Sequence, residues 1–158
     1  LEKIERRKGM IFKVSKMYVD HQEDREDLFQ EIIYQLWKSY QNFEGKSQFS
    51  TWLYRVSVNT ALTFLNKEKK KTDNASLTEN IDVQDENSDE KETQLEFFYK
   101  AVHELNPVEK ALIFLFLEGQ SHKEIAINLG ITEVNARVKL NRTKEKLQQI
   151  IKKYGYEF

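Results

Sequence analysis

Two stretches of the chain gather guanidinium, amide and ammonium groups on one side of a helix. Within 134–146, Val134, Val138, Asn141 and Arg142 share a face at the 3.6-residue period, flanked by Asn135, Arg137, Lys139, Lys144 and Lys146. Arginine can read guanine, asparagine can read adenine, valine can meet a thymine methyl, and lysine binds phosphate. A purely solvated face has no use for the two valines, so this pattern points to DNA. Within 55–71, Arg55, Asn59 and Asn66 form a polar stripe with Leu62 between them, and Lys67, Lys69, Lys70 and Lys71 continue it as positive charge. Such a face suits a nucleic-acid backbone and exposed base edges. Taken alone, an ordinary solvated helix explains this second stripe at least as well.

Covalent chemistry finds less support. His21, His103 and His122 are scattered without ligand spacing, and neither a nucleophile elbow nor a phosphate loop is present. The chain has no cysteine, which removes disulfides, thiolate zinc sites and cysteine nucleophiles and fits a reducing interior. An acidic stretch, TDNASLTENIDVQDENSDEKE at 72–92, raises the question of calcium. Gln84 and Glu86 stand where an EF-hand loop wants Asp or Asn, and the required glycine is missing. No metal or cofactor is expected, and an enzyme such as a nuclease is the weakest reading.

The elements that position these groups are helical. Of 158 residues, 32% are charged, and there are five glycines and one proline. Net charge is −1, but it is unevenly spread. Residues 1–71 carry 14 basic and 10 acidic side chains, 72–92 carry 1 and 8, and 93–158 carry 10 and 8. Two basic blocks thus flank an acidic spacer whose sizeable apolar residues are Leu77, Ile81 and Val83, too few to offset the entropy of ordering it. The expected organisation is two small helical domains, 1–71 and 93–158, joined by an acidic flexible linker at 72–92. The longest apolar run, 111–117, is far short of the roughly 20 residues a spanning helix needs. No insertion into a membrane and no signal peptide are expected, and the cytoplasm is the default location.

In the first block, Ile11, Val14 and Tyr18 predict a helix over 8–18. Over 25–40, Leu28, Ile32 and Leu36 form one stripe and Phe29, Ile33 and Tyr40 a second, so this helix is either sandwiched or meets a partner. Asp24, Glu26 and Asp27 suit its N-terminus. Residues 42–50 read as a loop, with Ser50 as the N-cap of a third helix over 51–70. Its inward face is expected to be Phe49, Leu53, Val56, Thr60 and Phe64.

In the second block, Asn106 caps a helix that has Pro107 in its first turn and Val108, Ala111, Leu112, Leu115 and Phe116 on one face. Gly119 ends it. Ser121 to Glu124 spell a capping box opening a short helix, Gly130 supplies a left-handed turn, and Thr132 caps the next helix, whose buried face is Ala136, Leu140, Thr143 and Leu147. A short helix, a tight glycine turn and a longer basic helix make a helix-turn-helix, whose second helix enters the major groove.

Three segments, DREDLFQEIIYQLW at 24–37, FEGKSQFSTWLYRVSVNTA at 43–61 and LNPVEKALIFLFLEGQSHKEIAINLGITEVNARVKLNRTKEKL at 105–147, resemble the extracytoplasmic-function group of bacterial RNA polymerase sigma factors. The resemblance covers nearly the whole chain, the first block being similar to sigma region two and the last to region four. It implies a non-enzymatic initiation factor with two partners, core RNA polymerase and promoter DNA, and an anti-sigma factor that commonly holds such proteins inactive. By resemblance, Asp27, Leu28, Gln30, Glu31, Ile32 and Leu36 bind the clamp helices of the largest polymerase subunit. The following loop, with Phe43, Glu44, Gly45, Lys46 and Ser47, captures a base flipped from the minus-ten element. Arg55 and Asn59 match positions that open the strands, with Asn66, Lys67 and Lys70 beyond them near the backbone. Trp52 reads as packing. The minus-thirty-five element falls to Arg137, Val138, Asn141 and Arg142, with Asn135 beside them and Lys139 and Lys144 on phosphates. The chain departs from the family where Asn66 and Lys67 replace an arginine-rich helix end, and where Val134 and Asn135 replace frequent glycine and threonine. A dimeric helix-turn-helix regulator shares the C-terminal features but leaves the first two segments unexplained.

Overall fold

The computed structural model describes residues 2–43, 49–74 and 90–155, with side chains described at 4–43, 49–68 and 94–155. Every regular element among them is an α-helix: α1 (Glu2–Glu5), α2 (Lys8–Tyr18), α3 (Gln22–Tyr40), α4 (Phe49–Asn74), α5 (Glu90–His103), α6 (Pro107–Leu117), α7 (His122–Leu129) and α8 (Glu133–Lys153). The expected all-α class holds. Helices α2, α3 and α4 pack on one another, as do α6, α7 and α8, with α5 laid against α2 and α8.

Helix α3 buries Leu28, Ile32 and Leu36, spaced four apart, and half-buries Phe29 and Ile33 beside them. It starts earlier than the pattern suggested, at Gln22, with Glu23 and Asp24 in its first turn. Helix α4 starts at Phe49, so Ser50 lies inside the helix and is not its cap. Helix α4 runs to Asn74 and α5 begins at Glu90, so both ends of the acidic spacer are helical; 75–89 lie outside the described residues. Helix α5, which was not expected from the sequence, buries Ala101 and Val102 and half-buries Phe98 and Tyr99 at helical spacing.

The inward face of α4 is wider than a single stripe. Leu53 and Thr60 are buried as expected, but so are Tyr54, Ser57, Val58 and Ala61 on an adjacent side. Helix α6 likewise buries Lys110, Ile113 and Phe114 in addition to Ala111, Leu112 and Leu115, while Val108 and Phe116 stay exposed. The two surprises have one cause. The N-terminal and C-terminal helices share one continuous apolar core, in which Tyr54 meets Phe114 edge-on at 5.8 Å. The buried hydroxyls of Ser15 and Ser57 donate to carbonyls four residues back, so neither is left unsatisfied.

Candidate nucleic-acid interfaces

The C-terminal caps form as their sequence requires. The Asn106 side chain accepts from Glu109 N at 2.8 Å while the Asn106 N–H donates to the Glu109 carboxylate at 3.0 Å, a complete capping box. Ser121 accepts from Glu124 N, but its own hydroxyl donates to the Glu124 carboxylate, so the box there is only half made. Gly130 sits at φ 68°, where a Cβ would be strained, and turns the chain from α7 into α8. Thr132 accepts from Asn135 N at 3.1 Å and starts α8. Ala136, Leu140, Thr143 and Leu147 are buried, which aims the opposite side of α8 outward.

That outward side carries Asn135, Arg137, Val138, Lys139, Asn141 and Arg142, all exposed, together with Val134. Lys144 differs from them. Its ammonium lies 3.7 Å from the centre of the Phe116 ring, which fixes it to α6 and half-buries it. Lys146 is also tied to α6, 2.9 Å from Glu109. Burial raises the Glu109 carboxyl, but the Asn106 N–H and Lys146 outweigh it and hold the group below its ordinary range.

The N-terminal helices present a second surface. Leu28, Ile32 and Leu36 are fully buried in the core, so they shape α3 and cannot touch a partner directly. Asp27 and Gln30 are exposed and Glu31 is half-buried, its carboxylate accepting from Gln35 at 3.0 Å. The same side of α3 exposes Tyr34 (58%) and Trp37 (52%), which sequence reasoning missed. The available signal was Trp37, four residues after Ile33 and three before Tyr40, beside Tyr34 off both apolar stripes. A shallow cleft of about 560 Å³ runs along Gln30, Ile33, Tyr34 and Trp37. Beside it, a groove of about 1020 Å³ between α3 and α4 brings Asp27 and Glu31 opposite Asn59, Thr63 and Lys67.

On α4, Asn59, Asn66 and Lys67 are exposed and Arg55 is half-buried. The Arg55 Nε is buried with no hydrogen-bond partner among the described residues. Lys70 lies in α4, but its side chain is outside those described, and Glu44, Gly45, Lys46 and Ser47 lie outside the described residues altogether. Phe43 packs with Phe49 (6.0 Å) and Trp52 (5.1 Å), and Trp52 also meets Tyr40 (6.1 Å). The rings flank the ends of the undescribed segment.

Contacts between the two sets of helices are polar as well as apolar. The buried Tyr18 hydroxyl donates to the Pro107 carbonyl at 3.0 Å, and burial raises its pKa. At the other end of α6, Tyr54 donates to Glu118 at 3.3 Å and Lys13 lies 3.7 Å from the same carboxylate. His103 Nε2 lies 3.1 Å from Asp20 Oδ1 but out of line for a hydrogen bond.

Fold and surfaces together define a two-part, all-helical protein whose second part is a helix-turn-helix. Comparison with known proteins narrows the class. Residues 4–71 match the Sigma-70 region 2 family and residues 98–147 match Sigma-70, region 4. The ECF RNA polymerase sigma-E factor of Haemophilus influenzae is 30% identical over 141 residues, covering 81% of this chain and 75% of that protein. The ECF RNA polymerase sigma factor SigG of Mycobacterium tuberculosis is 29% identical over 155 residues, covering 80% of this chain; the chain spans 42% of that relative's length. The fold matches the sigma factor RpoE solved with the anti-sigma factor NepR from Bartonella quintana (TM-score 0.74, 20% identity, 96% of this chain and 95% of that one). It also matches CnrH solved with the cytosolic domain of CnrY (TM-score 0.69, 15% identity, 96% and 86%). The chain belongs to the extracytoplasmic-function (ECF) family of RNA polymerase sigma factors.

Proposed function

We propose that the chain binds core RNA polymerase and directs promoter recognition and opening, the nucleotide-adding chemistry remaining with the core enzyme. The observation that supports this most is the pairing of two unlike surfaces on one chain. One is an outward α8 face with valine, asparagine and arginine at reading positions; the other joins the aromatic and acidic side of α3 to the amide-rich stripe of α4. A stand-alone regulator has use for the first but not the second.

In this reading residues 1–71 form the core-binding and minus-ten domain, 72–92 the tether and 93–158 the minus-thirty-five domain. Asp27, Gln30 and Glu31 meet the polymerase clamp helices together with Tyr34 and Trp37, while Leu28, Ile32 and Leu36 keep α3 straight beneath them. Arg55 and Asn59 hold the opened strand. Phe43 and the loop residues take the flipped base, and Asn66, Lys67 and Lys70 follow the backbone. Asn135, Arg137, Val138, Asn141 and Arg142 read the minus-thirty-five element, with Lys139 and Lys144 at its phosphates. The chain works in the cytoplasm, and an anti-sigma factor holds it in reserve. No helix among the described residues is long and apolar enough to cross a membrane.

The test is to mix the purified chain with its cognate core polymerase and follow co-migration by size exclusion. A stoichiometric complex that initiates from selected promoters is expected. A folded chain that ignores core and instead dimerises on palindromic DNA would replace this account with the regulator.

A further inference from the structure

Two valines on the outward face of α8 stand among polar and charged neighbours. Val134 is 68% exposed and Val138 40% exposed, although both lie on a helix whose own core contacts are complete without them. They are four residues apart, so their side chains stand on one face about 6 Å apart along the axis, at about 1.5 Å of rise per residue. On a helix seated in the major groove, residues three to four positions apart meet successive bases, so this spacing corresponds to about one base step. Around them the exposed groups are Asn135, Arg137, Lys139, Asn141 and Arg142, which provide hydrogen-bond donors and positive charge. Glu145 comes one turn after Asn141 and, being exposed and acidic, closes the favourable patch at its C-terminal end. An apolar pair framed by arginine and amides and bounded by a carboxylate matches a major-groove floor, where the apolar feature is the thymine C5-methyl.

We propose that Val134 and Val138 are specificity-determining residues that read two C5-methyl groups at successive base steps in the minus-thirty-five element. The proposal rests on the initiation reading and deepens it by naming what this chain selects at that site. Its neighbours then fix the context: Asn141 suits an adenine and Arg142 a guanine beside the methyl-bearing steps.

The decisive experiment isolates the methyl. The full chain, bound to its core polymerase, first selects promoter DNA from a randomised library. Each thymine of the selected minus-thirty-five element is then replaced by deoxyuridine, which removes the methyl and leaves the hydrogen-bonding edge intact. Binding should fall about fourfold at each of two positions, the worth of one buried methyl-sized group. Val134→Ala should abolish the methyl dependence at one position and Val138→Ala at the other. Both valines are exposed and alanine favours helix, so each variant keeps its fold. 5-Methylcytosine in place of cytosine at the corresponding step of a weak site should restore part of the affinity for the wild-type chain only. A selected element indifferent to uridine, or valine variants as methyl-sensitive as wild type, would overturn the proposal while leaving the initiation reading intact. Failure to select any sequence despite a folded chain would overturn both.

Discussion

Trp37 and Leu36 are neighbours in sequence and opposites in environment, which makes them a direct test of the proposal that α3 meets the polymerase. Leu36 is fully buried, whereas Trp37 leaves 52% of its surface in water. Truncating Leu36 to Ala removes side-chain contacts that the core cannot fully recover, a loss of about 2 to 5 kcal/mol for Leu→Ala at buried sites. At about 2 to 4 °C per kcal/mol for a protein of this size, the melting temperature should drop by roughly 4 to 20 °C. Trp37→Ala touches little of the core and should change stability by about 0.5 kcal/mol or less. Docking, by contrast, has much to gain from Trp37. If about half of a tryptophan surface of ~250 Å² is covered on binding, the ~125 Å² removed from water is worth about 3 kcal/mol at ~25 cal/mol/Å². Ordering the side chain takes back up to about 1 kcal/mol, leaving ~2 kcal/mol, or about 30-fold in affinity.

The assay is a fluorescence titration of each labelled variant with core polymerase, run beside thermal melting. Trp37→Ala should bind about 30-fold more weakly while melting like wild type, and Leu36→Ala should melt early while its folded fraction binds normally. A Trp37→Ala variant with wild-type core affinity would refute the assignment. So would a Leu36→Ala variant that loses core affinity without losing stability.

Other consequences are more local. Arg142→Ala should weaken promoter binding by about 1 to 3 kcal/mol, measured on selected DNA, and an unchanged affinity returns Arg142 to the solvated surface. Arg55→Ala and Asn59→Ala should impair strand opening, followed by permanganate reactivity, more than polymerase binding; equal loss of both sinks that role. Thr132→Ala removes the acceptor for Asn135 N and should cost about 1 kcal/mol in thermal unfolding. His103 supplies a pH dependence: burial lowers its pKa from 6.5, Asp20 pulls it up, and Lys110 and Arg25 push it down, while a backbone hydrogen bond at Lys16 favours the charged form. Because the net shift is downward, its contribution to the packed form is complete above pH 6.5 and is lost as pH falls from there toward the folded value. His103→Gln should flatten that acid limb in a melting-temperature profile, and an unaltered profile would remove His103 from the account.

Much of the fold was legible because local signals agreed. Around Asn106, Ser121, Gly130 and Thr132, cap chemistry, glycine placement and apolar period all pointed to the same three helices, and the structure forms them there. The outward face of α8 followed directly, since burying Ala136, Leu140, Thr143 and Leu147 leaves only one direction for the rest. On α3 the period was equally clear, but period alone distinguishes inside from outside, not structural core from partner surface. Leu28, Ile32 and Leu36 therefore look like ideal contacts until their complete burial is seen, and Tyr34 and Trp37 look incidental until they are seen exposed. Phe43 presents a related case. Its ring is legible as an aromatic near a loop, but its packing on Phe49 and Trp52 depends on where α4 begins, which Ser50 had suggested wrongly.

Ile113, Phe114, Tyr54 and Val58 stood outside every expected inward stripe, and all are buried, Tyr54 and Phe114 against each other where the N-terminal and C-terminal helices meet. A period reads one face of one helix; it has no way to show a second face consumed by a distant segment. That second face bears on function. The minus-ten and minus-thirty-five elements are named for positions 25 nucleotides apart, about 85 Å along B-form DNA at ~3.4 Å per step. A compact chain of this length has a radius of gyration of about 15 Å, so its two reading surfaces cannot reach both elements at once. In the packed arrangement α7 also lies against α4, on which Arg55 is half-buried with its Nε unpartnered among the described residues. Engaging a promoter in the proposed manner therefore requires α6 to leave its seat, giving up the Tyr18–Pro107 and Tyr54–Glu118 hydrogen bonds and the Phe114 contact. In that reading, binding to the polymerase and the promoter supplies that free energy. Replacing Tyr18 with Phe and Glu118 with Ala, neither of which touches DNA or polymerase in this reading, should lower the requirement and raise initiation at limiting core. Unchanged initiation, with dyes on introduced cysteines reporting the same separation as in wild type, would mean that the apolar contacts alone hold α6 in place.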